Sequence, residues 1–248
     1  MCERTAGEVP PDWEQVLSAA ARLQTLLPEA VLVGGTAAGI HARHRTSHDA
    51  DHVLTDLRSR FDNILGQLES VAGWKTARTN RPVLILGSLD GIETGVRQLI
   101  RAEPLETTRL RVGNHRITIP TEAEILRIKG FLLLRRNTTR DYVDFTALAH
   151  RIGDTATAAA FERFDRLYPQ DSGESALQQM LAQLANPKPY DLEETTLAEY
   201  RDLDARWHDW RTVCAVCANA ATVIFDHVCD LQELGETGHR EGDAEGRD

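Results

Sequence analysis

Two clusters in this sequence are spaced for chemistry on metal ions and phosphates. Gly34-Gly35-Thr36 follows the apolar run Ala30-Val31-Leu32-Val33. Asp49-Ala50-Asp51 stands thirteen positions after Thr36 and precedes His52-Val53-Leu54. Both apolar runs have the composition of short buried strands. Side chains two apart on a strand point the same way, so the Asp49 and Asp51 carboxylates share a face. Such a pair can hold one hard, oxygen-seeking cation or share two of them. A glycine pair at a strand end lets backbone N–H groups approach a phosphate closely, and Thr36 adds a hydroxyl. Each part alone is commonplace, since Gly-Gly is usually a turn and Asp-x-Asp a solvated loop. The order strand, glycine pair, helix-length spacer, carboxylate pair, strand gives them meaning together.

On these residues the chain resembles the DNA polymerase beta-like nucleotidyltransferase superfamily, whose signature is Gly-Gly/Ser followed by Asp-x-Asp/Glu. Within it, Leu32–Ala38 and Arg45–Val53 look most like the AbiEii/MenT toxin-type nucleotidyltransferases. A second stretch adds to the resemblance. Residues 121–136 read as a helix with Thr121 and Glu124 in capping-box spacing after Pro120. The AbiEii-type families carry a lysine on such a helix and Arg-Asp-x-x-Asp at the start of the next. Here those residues are Lys129, Arg140, Asp141 and Asp144. The resemblance covers roughly residues 28–150. Ala50 and His52 depart from the large apolar residues usual at these positions.

The resemblance implies an α+β fold, a polymerase beta-like nucleotidyltransferase core sheet flanked by helices and followed by a helical C-terminal region. It implies that Asp49 and Asp51 bind Mg²⁺ or Mn²⁺ and that NTP is a substrate. Gly34, Gly35 and Thr36 would cradle its phosphates, with Lys129 and Arg140 on the triphosphate. Asp141 or Asp144 would orient Lys129 or the acceptor. The acceptor implied is the 3′ end of a tRNA, which would make the chain a toxin with a cognate antitoxin as partner. The alternatives are transfer to a small-molecule or protein hydroxyl, and a catalytically inactive nucleotide-binding regulatory module.

A third carboxylate is sought on a neighbouring strand. Residues 82–87 and 91–97 read as a hairpin around Asp90-Gly91, a strong turn signal. Alternation puts Glu93 opposite in facing to Ile92 and Thr94, which makes it the candidate third metal ligand. Lys129 is notable because the chain has only three lysines, Lys75, Lys129 and Lys188, among 28 basic residues. A compact ammonium suits a phosphate where arginine is otherwise the default. Plainer roles exist: Arg140 and Asp144, four apart, would make a surface ion pair of ~0.3–0.5 kcal/mol, and Asp141 would favour a helix N-terminus.

Composition bounds the rest. The net charge of −10 argues against a generic nucleic-acid binder, yet residues 97–140 hold ten basic against four acidic residues. Arg97, Arg101, Arg109, Arg111, Arg116, Arg127, Arg135 and Arg136 are candidates to line a phosphate-backbone path. No apolar run approaches the ~20 residues of a bilayer crossing, and the expected location is cytoplasmic, without a membrane partner. Cys214-x-x-Cys217 lies in a helical pattern without a second pair and reads as structural thiols. His41, His44 and His48 repeat at helical spacing, and His48 and His52 flank the carboxylates.

The expected domains are a nucleotidyltransferase core over 1–120, a helical region over 121–232 and a disordered acidic tail over 233–248. In the core, helices are expected over 12–27, 36–45 and 57–72, and strands near 74–78, 109–112 and 115–119. Beyond it, helices are expected over 139–151, 154–167, 173–185 and 194–232, with 186–190 as a stiff linker.

Overall fold

Period-two alternation shapes the first half of the chain. In the computed structural model, which describes residues 13–242, one sheet is built from β1 (Val31–Leu32), β2 (Asp49–Leu54), β3 (Trp74–Asn80), β4 (Leu84–Leu89) and β5 (Ile92–Gln98). The strand order is β1-β2-β5-β4-β3. β2 and β5 are parallel and the other neighbours antiparallel, so the sheet is mixed. Ala50, His52 and Leu54 of β2 are buried while Asp49, Asp51 and Val53 on the other face are partly open. β4 alternates likewise, burying Ile85 and Leu89.

The buried face is covered by α1 (Trp13–Leu26) and α3 (Leu57–Glu69). Leu57, Phe61, Ile64 and Leu68 recur at helical spacing and join Leu23, Leu54, Ile85, Leu89 and Val96 in one core. Burying each such side chain stabilises the fold by about 1.5–3 kcal/mol. The opposite face, which carries Asp49, Asp51 and Val53, is partly open.

Local signals fix the connections. Asp90 and Gly91 both have positive φ, 53° and 84°, as a two-residue hairpin turn between Leu89 and Ile92 requires. α2 (Gly34–Ala42) starts two residues before the expected 36–45 helix, so the glycines form its first turn. It stops at Ala42, where Arg43 turns left-handed at φ 53°. His44 and His48 therefore fall off the helix that their spacing suggested. β6 (Thr107–Val112) and β7 (His115–Pro120) form a separate hairpin that packs on α1 and β1.

The chain divides into two compact units, Met1–Thr121 and Glu122–Asp248. The second is helical: α4 (Glu122–Arg136), α5 (Thr139–Ile152), α6 (Asp154–Ala160), α7 (Phe164–Leu167), α8 (Ala176–Ala185) and α9 (Trp210–Gly242). Phe131 stacks on Tyr168, and Phe145, Phe161, Phe164 and Tyr168 pack as tilted rings in its core.

Two helix expectations are corrected. The 154–167 helix is broken between α6 and α7. The 194–232 helix starts only at Trp210, after two short 3-10 turns at Leu197–Glu199 and Ala205–His208. Asp204 and Asp209 each accept the backbone N–H two residues on, both at 2.9 Å, and these local bonds compete with a continuous helix. α9 also runs past residue 233, so the expected tail is helical to Gly242. Residues 243–248, and residue 12 at the start of the first expected helix, lie outside the described residues.

The segment Trp210–Glu233 of α9 is, by length and composition, long and apolar enough to cross a membrane, a property that the reading of apolar runs missed. It packs on α5, α6 and α8 through a stripe containing Val213, Cys217, Ala220 and Ile224. Phe225 and Leu231 remain exposed.

Candidate active site

β2 carries the carboxylates and its neighbours set their surroundings. Asp49 is the register partner of Glu93 and Asp51 that of Gly95 across the parallel β2–β5 pair. Partners in register point to the same face, so Asp49, Asp51 and Glu93 all face the side away from the core. They line a cavity of about 450 Å³ together with Arg97, Lys75 and Ser88. Among the described residues no group of three or more His, Cys, Asp or Glu side chains is arranged to hold a metal ion. Glu93 thus shares the cavity without closing a three-ligand set.

The two aspartates are held differently. Ser47 Oγ donates to Asp49 Oδ1 at 2.5 Å, and Asp49 Oδ2 accepts no hydrogen bond among the described residues. Arg97 Nη2 lies 3.5 Å from Asp51 Oδ2. Gly95 makes room for Asp51, because a Cβ there would stand 3.1 Å from Oδ1. Two carboxylates on one strand face, opening into a cavity, fit a hard divalent cation that completes its shell with substrate oxygens. Ser47, Gly95 and the contact of Arg97 with Asp51 were missed from the sequence. Alternation along β5 was the signal that could have found the last two.

The glycine–threonine cluster does more structural work than expected. Gly34 has φ 72° and lies beside Asp51, whose Cβ is 3.9 Å from where a Gly34 Cβ would be. Gly35 has little room for a side chain: a Cβ there would meet Arg45 Nη2 at 2.5 Å and Ser47 Oγ at 3.0 Å, so the arginine head would have to move. Arg45 is itself buried. The expectation that Thr36 offers its hydroxyl to a phosphate is corrected. Thr36 is fully buried and Oγ1 donates to the Asp49 carbonyl, tying α2 to β2.

The histidines near the aspartates separate. His48 is exposed. His52 is on the opposite, core-facing side of β2 from Asp49 and Asp51, fully buried, with Nδ1 2.9 Å from the Ala50 carbonyl. Burial lowers its pKa to about 4, against the opposing effect of that hydrogen bond. It is a neutral core imidazole at physiological pH.

In the second unit the structure brings Lys129, Asp141 and Asp144 together. Lys129 Nζ donates to Asp141 Oδ1 at 2.9 Å and lies 2.7 Å from Asp144 Oδ2. All three side chains are at most 2 % exposed. The spacing of α4 and α5 makes this possible: Asp141 and Asp144 are three apart on one face of α5. Burial would raise the Asp141 carboxyl, but the charge and hydrogen bond of Lys129, aided by Thr138, hold it below the usual range. Arg140, by contrast, is exposed in the first turn of α5. Cys214 and Cys217 on α9 are free thiols whose pKa values burial pushes up, which makes them poor nucleophiles.

No family model matches the chain. It is 30 % identical over 236 residues to the heme uptake protein MmpL11 of Mycobacterium tuberculosis (strain H37Rv), covering 87 % of this chain and 23 % of that protein. It is 27 % identical over 218 residues to the mycolic acid-containing lipids exporter MmpL11 of Mycolicibacterium smegmatis, covering 87 % and 22 %. The chain thus spans under a quarter of the length of these curated relatives. Among solved structures, it is similar to an antigenic nucleotidyltransferase-like protein from Paracoccidioides brasiliensis. That match has 20 % identity and a TM-score of 0.49, over 73 % of this chain and 90 % of that one.

Proposed function

We propose that this chain is a divalent-metal-dependent nucleotidyltransferase that moves NMP from an NTP to an acceptor hydroxyl and releases pyrophosphate. The observation that carries the reading is the pair Asp49 and Asp51 on the open face of β2, with Glu93 in register on β5 and a cavity over all three. Asp49 and Asp51 would hold Mg²⁺ or Mn²⁺. An ion held by Asp49 and Asp51 would supply Lewis acidity toward an acceptor hydroxyl and positive charge toward departing pyrophosphate. Ser47 donates to one oxygen of Asp49, and the other would be left for the cation. Arg97 and Lys75 face the same cavity and would meet the negative charge of the triphosphate. Gly34, at the start of α2, would present backbone N–H groups to a phosphate, as helix N-termini do.

The ammonium of Lys129 is matched by two carboxylates, so we assign Lys129, Asp141 and Asp144 to positioning α4 against α5. The acceptor we favour is the 3′ end of a tRNA, with the chain as the toxin of a toxin–antitoxin pair. The resemblance of residues 32–38 and 45–53 to the AbiEii/MenT type supports this.

The test is transfer itself. The protein is incubated with Mg²⁺, each labelled NTP in turn and total tRNA, beside an Asp49→Ala/Asp51→Ala control. Label entering tRNA only with the intact protein is the expected result. Metal-dependent NTP binding without label in tRNA would refute the tRNA acceptor.

The similarity to MmpL11, together with the exposed apolar residues of α9, favours a second reading: a nucleotide-binding module that regulates a transport protein. NTP binding with no transfer to any hydroxyl would select it.

A further inference from the structure

The β6–β7 hairpin has one face packed on α1 and β1 and one face turned outward. The cross-strand register pairs Arg109 with Thr118 and Arg111 with Arg116. Arg111 and Arg116 are thus directly opposed on one face, and Arg109 is two residues along on the same face. All three are exposed, and none has a carboxylate partner among the described residues. Like charges directly opposite each other destabilise a strand pair. Arg109 donates to Thr118 Oγ1 and Arg111 to the Gly113 carbonyl, both at a long 3.4 Å, so folding gains little from this arrangement, in a chain whose net charge is −10. The hairpin is held down without the arginines, by Leu110, Ile117 and Ile119 on its inner face, by two hydrogen bonds between Gln24 and the Thr118 backbone, and by His115 against Glu14. Three guanidinium groups in a row, each able to grip phosphate oxygens in a fork, match the repeating charge of a nucleic-acid strand.

We propose that this arginine face binds the phosphodiester backbone of RNA and so docks the acceptor. The proposal rests on the nucleotidyl-transfer reading for its purpose, but the docking is measured without catalysis. Backbone contacts release counterions, so each one steepens the salt dependence of binding by about 0.7–0.9 in log K against log salt.

The experiment is a salt titration of total-tRNA binding for four proteins. These are the intact chain, Arg109→Gln/Arg111→Gln/Arg116→Gln, a charge-matched Arg58→Gln/Arg60→Gln/Arg211→Gln control, and Asp49→Asn/Asp51→Asn. The hairpin triple variant is expected to weaken binding at least tenfold at low salt and to flatten the slope by about 2. The charge-matched control and the aspartate variant are expected to keep the intact slope. Arg111→Gln alone, which relieves the opposed pair and so keeps the fold, is expected to flatten it by about 0.8. Equal losses in both triple variants, an unchanged slope in the hairpin variant, or no binding by the intact chain would overturn the proposal. Retained RNA binding in the aspartate variant, with transfer abolished, separates docking from chemistry. An intact chain that binds RNA through the hairpin but transfers nothing would leave the docking face standing and remove the enzymatic reading.

Discussion

Replacing Lys129 with Met tests the buried triad directly. Lys129, Asp141 and Asp144 together carry one net negative charge when all are ionised, and each side chain is at most 2 % exposed. Met fills much of the same volume but leaves two buried carboxylates facing each other without their cation. Removing one partner of a buried ion pair costs about 3–5 kcal/mol. For a chain of this size that is about 6–20 °C in melting temperature, at roughly 2–4 °C per kcal/mol. Asp144→Asn leaves a neutral Lys129–Asp141 pair and should cost less, about 1–3 kcal/mol.

The pH dependence changes sign between the variants. In the intact protein the Asp141 carboxyl is held below its ordinary value. Its contribution is therefore full above the unfolded pKa of ~3.9 and is lost as pH falls through the lowered one. Without Lys129, burial and mutual repulsion raise the carboxyl pKa values, so the folded state binds protons more readily than the unfolded one. The Lys129→Met protein should then gain stability relative to wild type as pH falls from 7 to 5. The assay is urea denaturation followed by far-ultraviolet circular dichroism at pH 7, 6 and 5. A loss below 1 kcal/mol at pH 7, or a deficit that does not shrink toward pH 5, would refute the reasoning.

Other consequences are equally direct. Gly95→Ala places a Cβ 3.1 Å from Asp51 Oδ1 and 2.6 Å from Leu86 Cδ2. Crowding of that kind costs about 1–3 kcal/mol, and Mn²⁺ affinity, followed by electron paramagnetic resonance, should fall. An unchanged affinity would mean that Asp51 is not a ligand. His52, with its pKa lowered to about 4, is neutral when folded. The unfolded chain binds the extra proton between about pH 6.5 and 4, so stability is full above that window and falls through it as pH drops, by on the order of 3 kcal/mol. His52→Leu should abolish that part of the slope in denaturation curves from pH 7 to 4.5. Gly34→Ala forces an L-residue to φ 72° and should cost about 1–2 kcal/mol in the same assay, against little for a solvent-exposed helix control.

The carboxylate pair was legible because a strand converts spacing of two into a shared face, and the same logic put Glu93 on that face, though without a three-ligand set. What the sequence hid were effects of three-dimensional neighbours. Gly35 was read only as room for a phosphate, but its missing side chain also makes room for Arg45, whose guanidinium lies where a Cβ would be. Thr36 looked like a free hydroxyl, yet it closes a bond to the backbone of Asp49. Lys129 stood out by rarity, but its burial depends on which face of α5 turns toward α4, which spacing alone does not fix. The start of α9 was misplaced because apolar periodicity continues through residues 194–209, while the aspartates that divert the backbone act through hydrogen bonds and not through hydrophobicity.

The parallel register of β2 on β5 also sets rules for redesign. Every inward position of β2 from Ala50 to Leu54 is core, and every outward one faces the cavity side, so the ligand row can be moved or lengthened only in steps of two. The next outward position is Val53, whose register partner is Arg97. An acidic residue there would extend the row beside a cation already in place, whereas one at position 50 or 52 would put a charge in the core. The strand is in effect a ruled track, on which new metal specificities can be written only at alternate marks.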